Sequence, residues 1–156
     1  MELDSKDWQI LEALQIDARQ SLASLGKRIG LSQPAMSERV KKLETAGVIT
    51  GYAAQVSFGA VGLGLQAILR IRTTHQYIKH YLALFNDIPQ VLEADRVTGE
   101  DCFIVRCAFS QPADLETIVD ALAVHGSVST SLVLSNAVRK QVPVRSVNKG
   151  QAKFKS

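Results

Sequence analysis

The sequence predicts an α+β protein with an all-helical N-terminal part and a mixed C-terminal part. Three observations predict it. Apolar residues over the first 47 positions recur at helical spacing. After residue 64 the pattern switches to alternating strands and helices. Between the two lies a stretch holding Gly59, Gly62 and Gly64. With 156 residues, 46% apolar and 21% charged, the chain has the composition of ordinary folded domains and room for one or two of them.

Residues 3–17 read as the first helix. Asp4 and Asp7 form a capping-box-like pair, Leu3 and Trp8 are placed as a hydrophobic staple, and Trp8, Leu11 and Leu14 face inward. Two shorter helices follow within residues 21–47. Ser21 caps the first, whose apolar face is Leu22, Leu25 and Ile29, and Gly30 closes it where φ turns positive. Ser32 caps the second, and Pro34 sits in its first turn, where N–H groups have no helical partner. Met36, Val40 and Leu43 make its buried stripe, and Gly47 ends it. A helix, a short turn containing glycine and a second helix have the spacing of a DNA-binding helix-turn-helix.

The second of these helices would be the recognition helix. The expected DNA-contacting set is Ser32, Gln33, Pro34, Ala35, Ser37, Glu38, Arg39, Lys41 and Lys42. Gln33 and Arg39 are of the types that bond base edges bidentately, whereas Lys and Ser side chains more often hold phosphates. Ser32 and the free N–H groups beside Gln33 stand at the positive end of the helix dipole, which suits a phosphate. The plain alternative is a helical hairpin with a solvated charged face. Residues 51–64 read as a short wing, from the β-branched and aromatic residues of VITGYAAQVSF, followed by a glycine-bearing linker.

The C-terminal part alternates strands and helices. Strands are expected over 65–72, 91–97, 102–109 and 127–138, with helices over 76–88 and 112–125. The first helix would bury Ile78, Tyr81, Leu82, Phe85 and Ile88, and the second Leu115, Ile118, Val119 and Leu122. The order βαββαβ is the ferredoxin-like arrangement. Its helices cover one face of the sheet. The free face would bear Ile68, Leu92, Ile104 and Val133, which predicts a homodimer through this domain. The division is therefore residues 1–50 for a winged helix-turn-helix domain, 51–64 for wing and linker, 65–140 for the ferredoxin-like domain and 141–156 for a basic tail.

Net charge is +3, and its distribution says more than its size. Residues 1–64 are neutral overall, residues 65–138 carry −3, and residues 139–156 carry six Lys/Arg and no acid. Within the neutral head, Lys27, Arg28, Arg39, Lys41 and Lys42 cluster, and a charge-segregated surface docks on phosphates without net charge. The tail reads as a solvated segment, with a DNA-backbone contact as the alternative. No apolar run reaches the roughly eighteen residues that span a bilayer, and the opening MELDSKDW lacks the pattern of a signal peptide, so a cytoplasmic protein without a membrane partner is expected.

Catalysis is not expected. His75, His80 and His125 lack metal-ligand spacing with either cysteine, and no nucleophile–base pair or catalytic carboxylate pair can be placed. Neither a metal nor a cofactor is expected. Cys102 and Cys107, five apart on one expected strand, would lie on opposite faces about 16 Å apart and cannot pair. Cys107 reads as a small core residue and Cys102 as partly exposed.

Three segments in this order, LDSKDWQILEALQIDAR (3–19), GLSQPAMSERVKKLETAGVITGY (30–52) and VTGEDCFIV (97–105), resemble the leucine-responsive/asparagine regulator (Lrp/AsnC, feast/famine) family over about residues 3–140. The resemblance implies a transcription regulator that binds double-stranded DNA and dimerises through its C-terminal domain, with dimers assembling further, often into an octamer. It also implies an amino acid or similar small effector held between dimers beside the turn into the third strand. Here that turn is Thr98, Gly99, Glu100, Asp101 and Cys102. Gly99 lets a ligand approach the backbone, and a carboxylate binds an α-ammonium group. The turn departs from the family pattern: Asp101 stands at an aromatic position and Cys102 at an aspartate position. The alternatives are a ligand-independent architectural DNA binder and a redox-responsive regulator acting through Cys102.

Overall fold

The computed structural model describes residues 2–142. Residues 2–54 together with 138–142 form one compact unit, and Gln55–Ala137 a second.

The first unit holds three helices: α1 (Ser5–Ile16), α2 (Leu22–Ile29) and α3 (Gln33–Thr45). Each starts at the expected cap. Asp4 accepts from the Lys6 and Asp7 N–H groups, while Asp7 accepts from the Asp4 N–H, a reciprocal capping box. Ser21 and Ser32 accept from the Ser24 and Ala35 N–H groups. The helix α3 ends in paired bonds, Val48 N–H to the Leu43 carbonyl and Gly47 N–H to the Glu44 carbonyl, with Gly47 at φ 68°. Ile10, Leu11, Leu14, Leu25, Ile29, Met36, Val40 and Leu43 form the core, with Leu3, Trp8 and Leu22 packed against it. Fully buried Leu25, Met36 and Leu43 each contribute roughly 1.5–3 kcal/mol of apolar burial.

Gly26 lets the turn after α2 fold tightly back onto the helix. A Cβ at this buried position would lie 2.8 Å from the Leu31 carbonyl oxygen and 3.7 Å from the Met36 Cβ. The Gly26 carbonyl itself accepts from the Leu31 N–H across the turn.

Residues 50–57 form neither helix nor strand, so the expected wing is not built. A wing needs two paired strands, and this stretch supplies one extended run with no ladder partner in the described residues.

The second unit is a four-stranded antiparallel sheet with two helices on one face. Its elements are β1 (Leu65–Thr73), α4 (Ile78–Asp87), β2 (Val91–Arg96), β3 (Phe103–Phe109), α5 (Pro112–Ala123) and β4 (Gly126–Leu132), with strand order β2-β3-β1-β4. This is the expected βαββαβ fold. Ala67, Leu69, Ile71, Phe103, Val105, Cys107 and Phe109 point into the core, where Ile78, Tyr81, Phe85, Ile118 and Leu122 meet them. The buried Tyr81 hydroxyl donates to the Leu122 carbonyl at 2.6 Å, tying α4 to α5.

Three expectations are corrected. The strand β4 stops at Leu132 rather than at residue 138. One further bond follows, from the Val133 N–H to the Gln66 carbonyl, and then β1 offers no more partner. Leu82 is exposed, because α4 turns only Ile78, Tyr81 and Phe85 fully inward. Cys102 lies just before β3, so strand alternation does not govern it, and it packs at the edge of the same core that buries Cys107. The basic tail beyond residue 142 lies outside the described residues.

Replacing Gly26 with Ala is expected to destabilise the helical unit by about 1–3 kcal/mol through overpacking, read as a lowered denaturant midpoint of the full-length protein.

Candidate functional site

The helix α3 divides its surface sharply. Met36, Val40 and Leu43 turn inward, and at 3.6 residues per turn Pro34, Glu38, Lys41 and Thr45 point directly away from them. Gln33 and Ser37 lie along one flank and Ala35, Arg39 and Lys42 along the other. Gln33, Pro34, Ser37, Glu38, Lys41 and Lys42 are exposed, and Ala35 is half-exposed. The exposed residues stand on a rigid helix whose first turn is capped only by Ser32. Gln33, Ser37 and Lys41 make no hydrogen bond or ion pair among the described residues, so their polar atoms are available to a ligand. Lys42 is paired with Glu38 at 2.8 Å, one turn away, and that lysine holds the Glu38 carboxyl below its usual range. Both side chains are exposed, so a phosphate can take Lys42 over at little cost.

Arg39 is placed differently from the expectation. Its guanidinium donates to Asp4 Oδ2 at 2.7 Å and to Asp7 Oδ1 at 2.8 Å. The Asp7 side chain is 5% exposed, so one end of this pairing is shielded from water. The carboxyl of Asp4 sits below the ordinary aspartate range, first because the Asp7 N–H donates to it and next because Arg39 does, and the two acids raise Arg39 in turn. The arginine expected to read a base is thus bonded to the cap of α1, and these bonds tie α3 to α1. Lys6, between the two acids, donates its ammonium to the Ile29 carbonyl at the end of α2. The first turn of α1 therefore joins both helices of the helix-turn-helix.

In the second unit, the turn between β2 and β3 brings Thr98, Gly99, Glu100, Asp101 and Cys102 together. Gly99 has φ 113°, a conformation that side chains rarely adopt. Thr98, Gly99 and Glu100 are exposed, while Asp101 and Cys102 are half-buried. Arg72 donates to Glu100 at 2.6 Å. The acid nearest the glycine is thus already charge-compensated, and Asp101 is the carboxylate without a partner among the described residues. The Cys102 backbone N–H donates to the Ile71 carbonyl, and its thiol to the Thr73 carbonyl at 3.2 Å. Burial pushes the Cys107 thiol up to about 11, which leaves it inert at neutral pH.

The N-terminal part matches the AsnC-type helix-turn-helix domain over residues 3–44, and the C-terminal part matches the Lrp/AsnC ligand-binding domain over residues 66–143. The chain belongs to the Lrp/AsnC family. It is 36% identical over 135 residues to the uncharacterized HTH-type transcriptional regulator YezC of Bacillus subtilis, covering 86% of this chain and 96% of that one. It is 34% identical over 151 residues to the leucine-responsive regulatory protein of Rhizobium meliloti, covering 94% and 92%. Among solved structures it is similar to LrpC of Bacillus subtilis, with a TM-score of 0.85 at 26% identity over 90% of this chain and 100% of that one. It is also similar to the transcriptional regulator NMB0573 of Neisseria meningitidis in complex with L-Met, with a TM-score of 0.86 at 29% identity over 94% and 99%. As a member of the Lrp/AsnC family the chain is a DNA-binding helix-turn-helix transcription regulator with a ligand-binding domain. Among the described residues no helix is long and apolar enough to cross a membrane.

Sequence reasoning missed Gly26, the Lys6 contact and the true partners of Arg39. A signal for the last is present in the sequence: Asp4 and Asp7 read as a cap, and two carboxylates at one helix start also attract a cation.

Replacing Arg39 with Ala strands the buried Asp7 carboxylate and is expected to cost about 1–3 kcal/mol of stability, with equal losses of affinity on operator and random DNA. The folded pKa of Asp4 is depressed, so its contribution is complete above the unfolded value of about 3.9 and is lost as pH falls through the lower folded value. The stability gap between wild type and Arg39→Ala, measured by denaturant titration across acid pH, is expected to narrow there.

Proposed function

We propose that this regulator reads DNA through Gln33 and Ser37, holds phosphates with Ser32, Lys41 and Lys42, dimerises through its sheet and answers to an amino acid or a similar small molecule. The carrying observation is the row of exposed, unengaged side chains on α3, Gln33, Ser37 and Lys41, on a helix locked to its neighbours. A carboxamide at the first position of α3 presents a donor and an acceptor together, the pattern that matches adenine.

The dimer reading is supported by the face of the sheet that no helix covers. Half-buried Ile68 and Ile104 line a shallow concavity with Glu93, Asp95 and Arg106. Arg70 and Arg72 continue the same face of β1. An apolar centre ringed by both charge signs is self-complementary across a two-fold axis, where each residue's partner recurs on the other copy. Two heads would then place recognition helices in successive major grooves, on pseudo-palindromic half-sites one or more helical turns apart. Effector binding at Thr98–Cys102 is supported by Gly99, which opens the backbone, and by the free Asp101, which offers a carboxylate to an ammonium group. The neighbouring structure from Neisseria meningitidis contains L-Met.

Gln33→Ala is expected to cost about 1–3 kcal/mol on the operator and little on random DNA, whereas Lys41→Ala weakens both alike and lowers the salt slope by about 1. Equal losses for the two variants on both DNAs would remove the base-reading role of Gln33.

A panel of the twenty amino acids at millimolar concentration tests the effector. A selective ligand at about 100 times its dissociation constant adds about 2.7 kcal/mol of stability, and Asp101→Ala is expected to abolish that gain. No stabilisation by any of them would favour the architectural reading, in which Glu100 serves only to pair with Arg72.

A further inference from the structure

The histidines of the chain are His75, His80 and His125, and the fold brings two of them together. His80 stands in the first turn of α4, and His125 in the turn between α5 and β4. Their ring centres lie 4.9 Å apart, with the ring planes at 79°. The main chain around both is held in place. Tyr81, beside His80, is buried, and its hydroxyl donates to the Leu122 carbonyl at 2.6 Å. The Thr73 hydroxyl donates to the His125 carbonyl at 2.7 Å. A Cβ at Gly126 would collide with the Arg72 carbonyl oxygen, so this turn lies tight against the end of β1. The Tyr77 ring stacks on the half-buried His125 at 4.2 Å and 3°, which fixes the plane of that imidazole. His80 is exposed, and its terminal torsion has a broad range, so its ring can turn a nitrogen toward a ligand. Neither imidazole makes a hydrogen bond or an ion pair among the described residues.

We propose that His80 and His125 chelate a late first-row divalent cation through one nitrogen each. A metal ion lies about 2.0–2.1 Å from a bound imidazole nitrogen, and hence about 3.2 Å from the ring centre. Two imidazoles on one ion then have centres about 4.5 Å apart at a right angle and about 5.2 Å apart at the tetrahedral angle. The observed 4.9 Å falls between these values. Imidazole suits zinc, copper and nickel, whereas magnesium and calcium seek oxygen. Among the described residues no three His, Cys, Asp or Glu side chains stand together as a metal set, so the chain supplies two donors and water fills the other positions. The ion joins α4 to the turn before β4, and the unfolded chain does not hold these imidazoles together. Binding therefore stabilises the ligand-binding domain. This site is independent of DNA reading by α3 and of an effector at Thr98–Cys102.

The test titrates nickel(II), with magnesium as the control, into the full-length chain by calorimetry, using protein made without a polyhistidine tag and stripped of metal. The wild type is expected to bind one nickel per chain and no magnesium. His80→Gln and His125→Gln are each expected to weaken nickel binding at least about tenfold, since even the outer partners of metal ligands are worth that much. The double variant is expected to bind no more weakly than either single one, because losing one donor already ends the chelate. His75→Gln is expected to bind as the wild type does. Nickel is also expected to raise the melting temperature of the wild type and to leave that of His80→Gln where it was. No nickel binding by the wild type overturns the proposal. So do additive losses in the double variant, an equal loss in His75→Gln, or an equal rise in melting temperature for His80→Gln. If His125→Gln melts lower without metal, its stack on Tyr77 is disturbed, and His80→Gln, at an exposed position, decides the matter alone.

Discussion

The ion pair of Arg39 with Asp4 and Asp7 is the constraint on which the helical head depends. The same two carboxylates that satisfy the free N–H groups of α1 also receive the guanidinium from α3, so one cluster starts a helix and fixes the angle of another. Because Asp7 is nearly closed to solvent, water competes poorly for its half of the bond. Lys6 extends the cluster to the end of α2. An apolar core tolerates small rotations of a helix, whereas a charge-assisted bond to a fixed pair of oxygens does not. The second helix of a helix-turn-helix must present its side chains at a definite pitch, and the cap of α1 contributes to that definition through Arg39.

The ligand-binding domain shows a comparable economy at its turn. Gly99 gives the backbone a conformation that exposes the loop, and the neighbouring bonds to Ile71 and Thr73 hold the far side of the turn to β1. Glu100, the acid next to Gly99, is engaged with Arg72. Asp101, the residue by which this turn departs from the family pattern, is left as the open carboxylate. The departure therefore moves the negative charge by one position without removing it from the turn.

Most of the architecture was legible in the sequence. The caps at Asp4, Ser21 and Ser32, the positive-φ glycines at 30 and 47, and the apolar stripes of α2 and α3 act over four residues or fewer, so spacing alone exposed them. The βαββαβ order was legible for the same reason. The wing was not, because a strand exists only where a second one lies beside it. The end of β4 was set by where β1 begins, and nothing near residue 132 announces that limit.

The sequence by itself determined the three helices of the head, the βαββαβ order and which side chains α3 offers to solvent, since these follow from local caps and periodicity. Tertiary structure alone decided that Arg39 pairs with Asp4 and Asp7, that Gly26 admits the Leu31 carbonyl of the turn, and that Gln15 holds the chain at Val142. Arg39 and Asp7 are 32 residues apart, and Gln15 and Val142 are 127 apart. No periodicity reaches that far: such pairs exist only once folding has brought their elements into contact, and it is the burial around Asp7 that turns a surface arginine into a structural one.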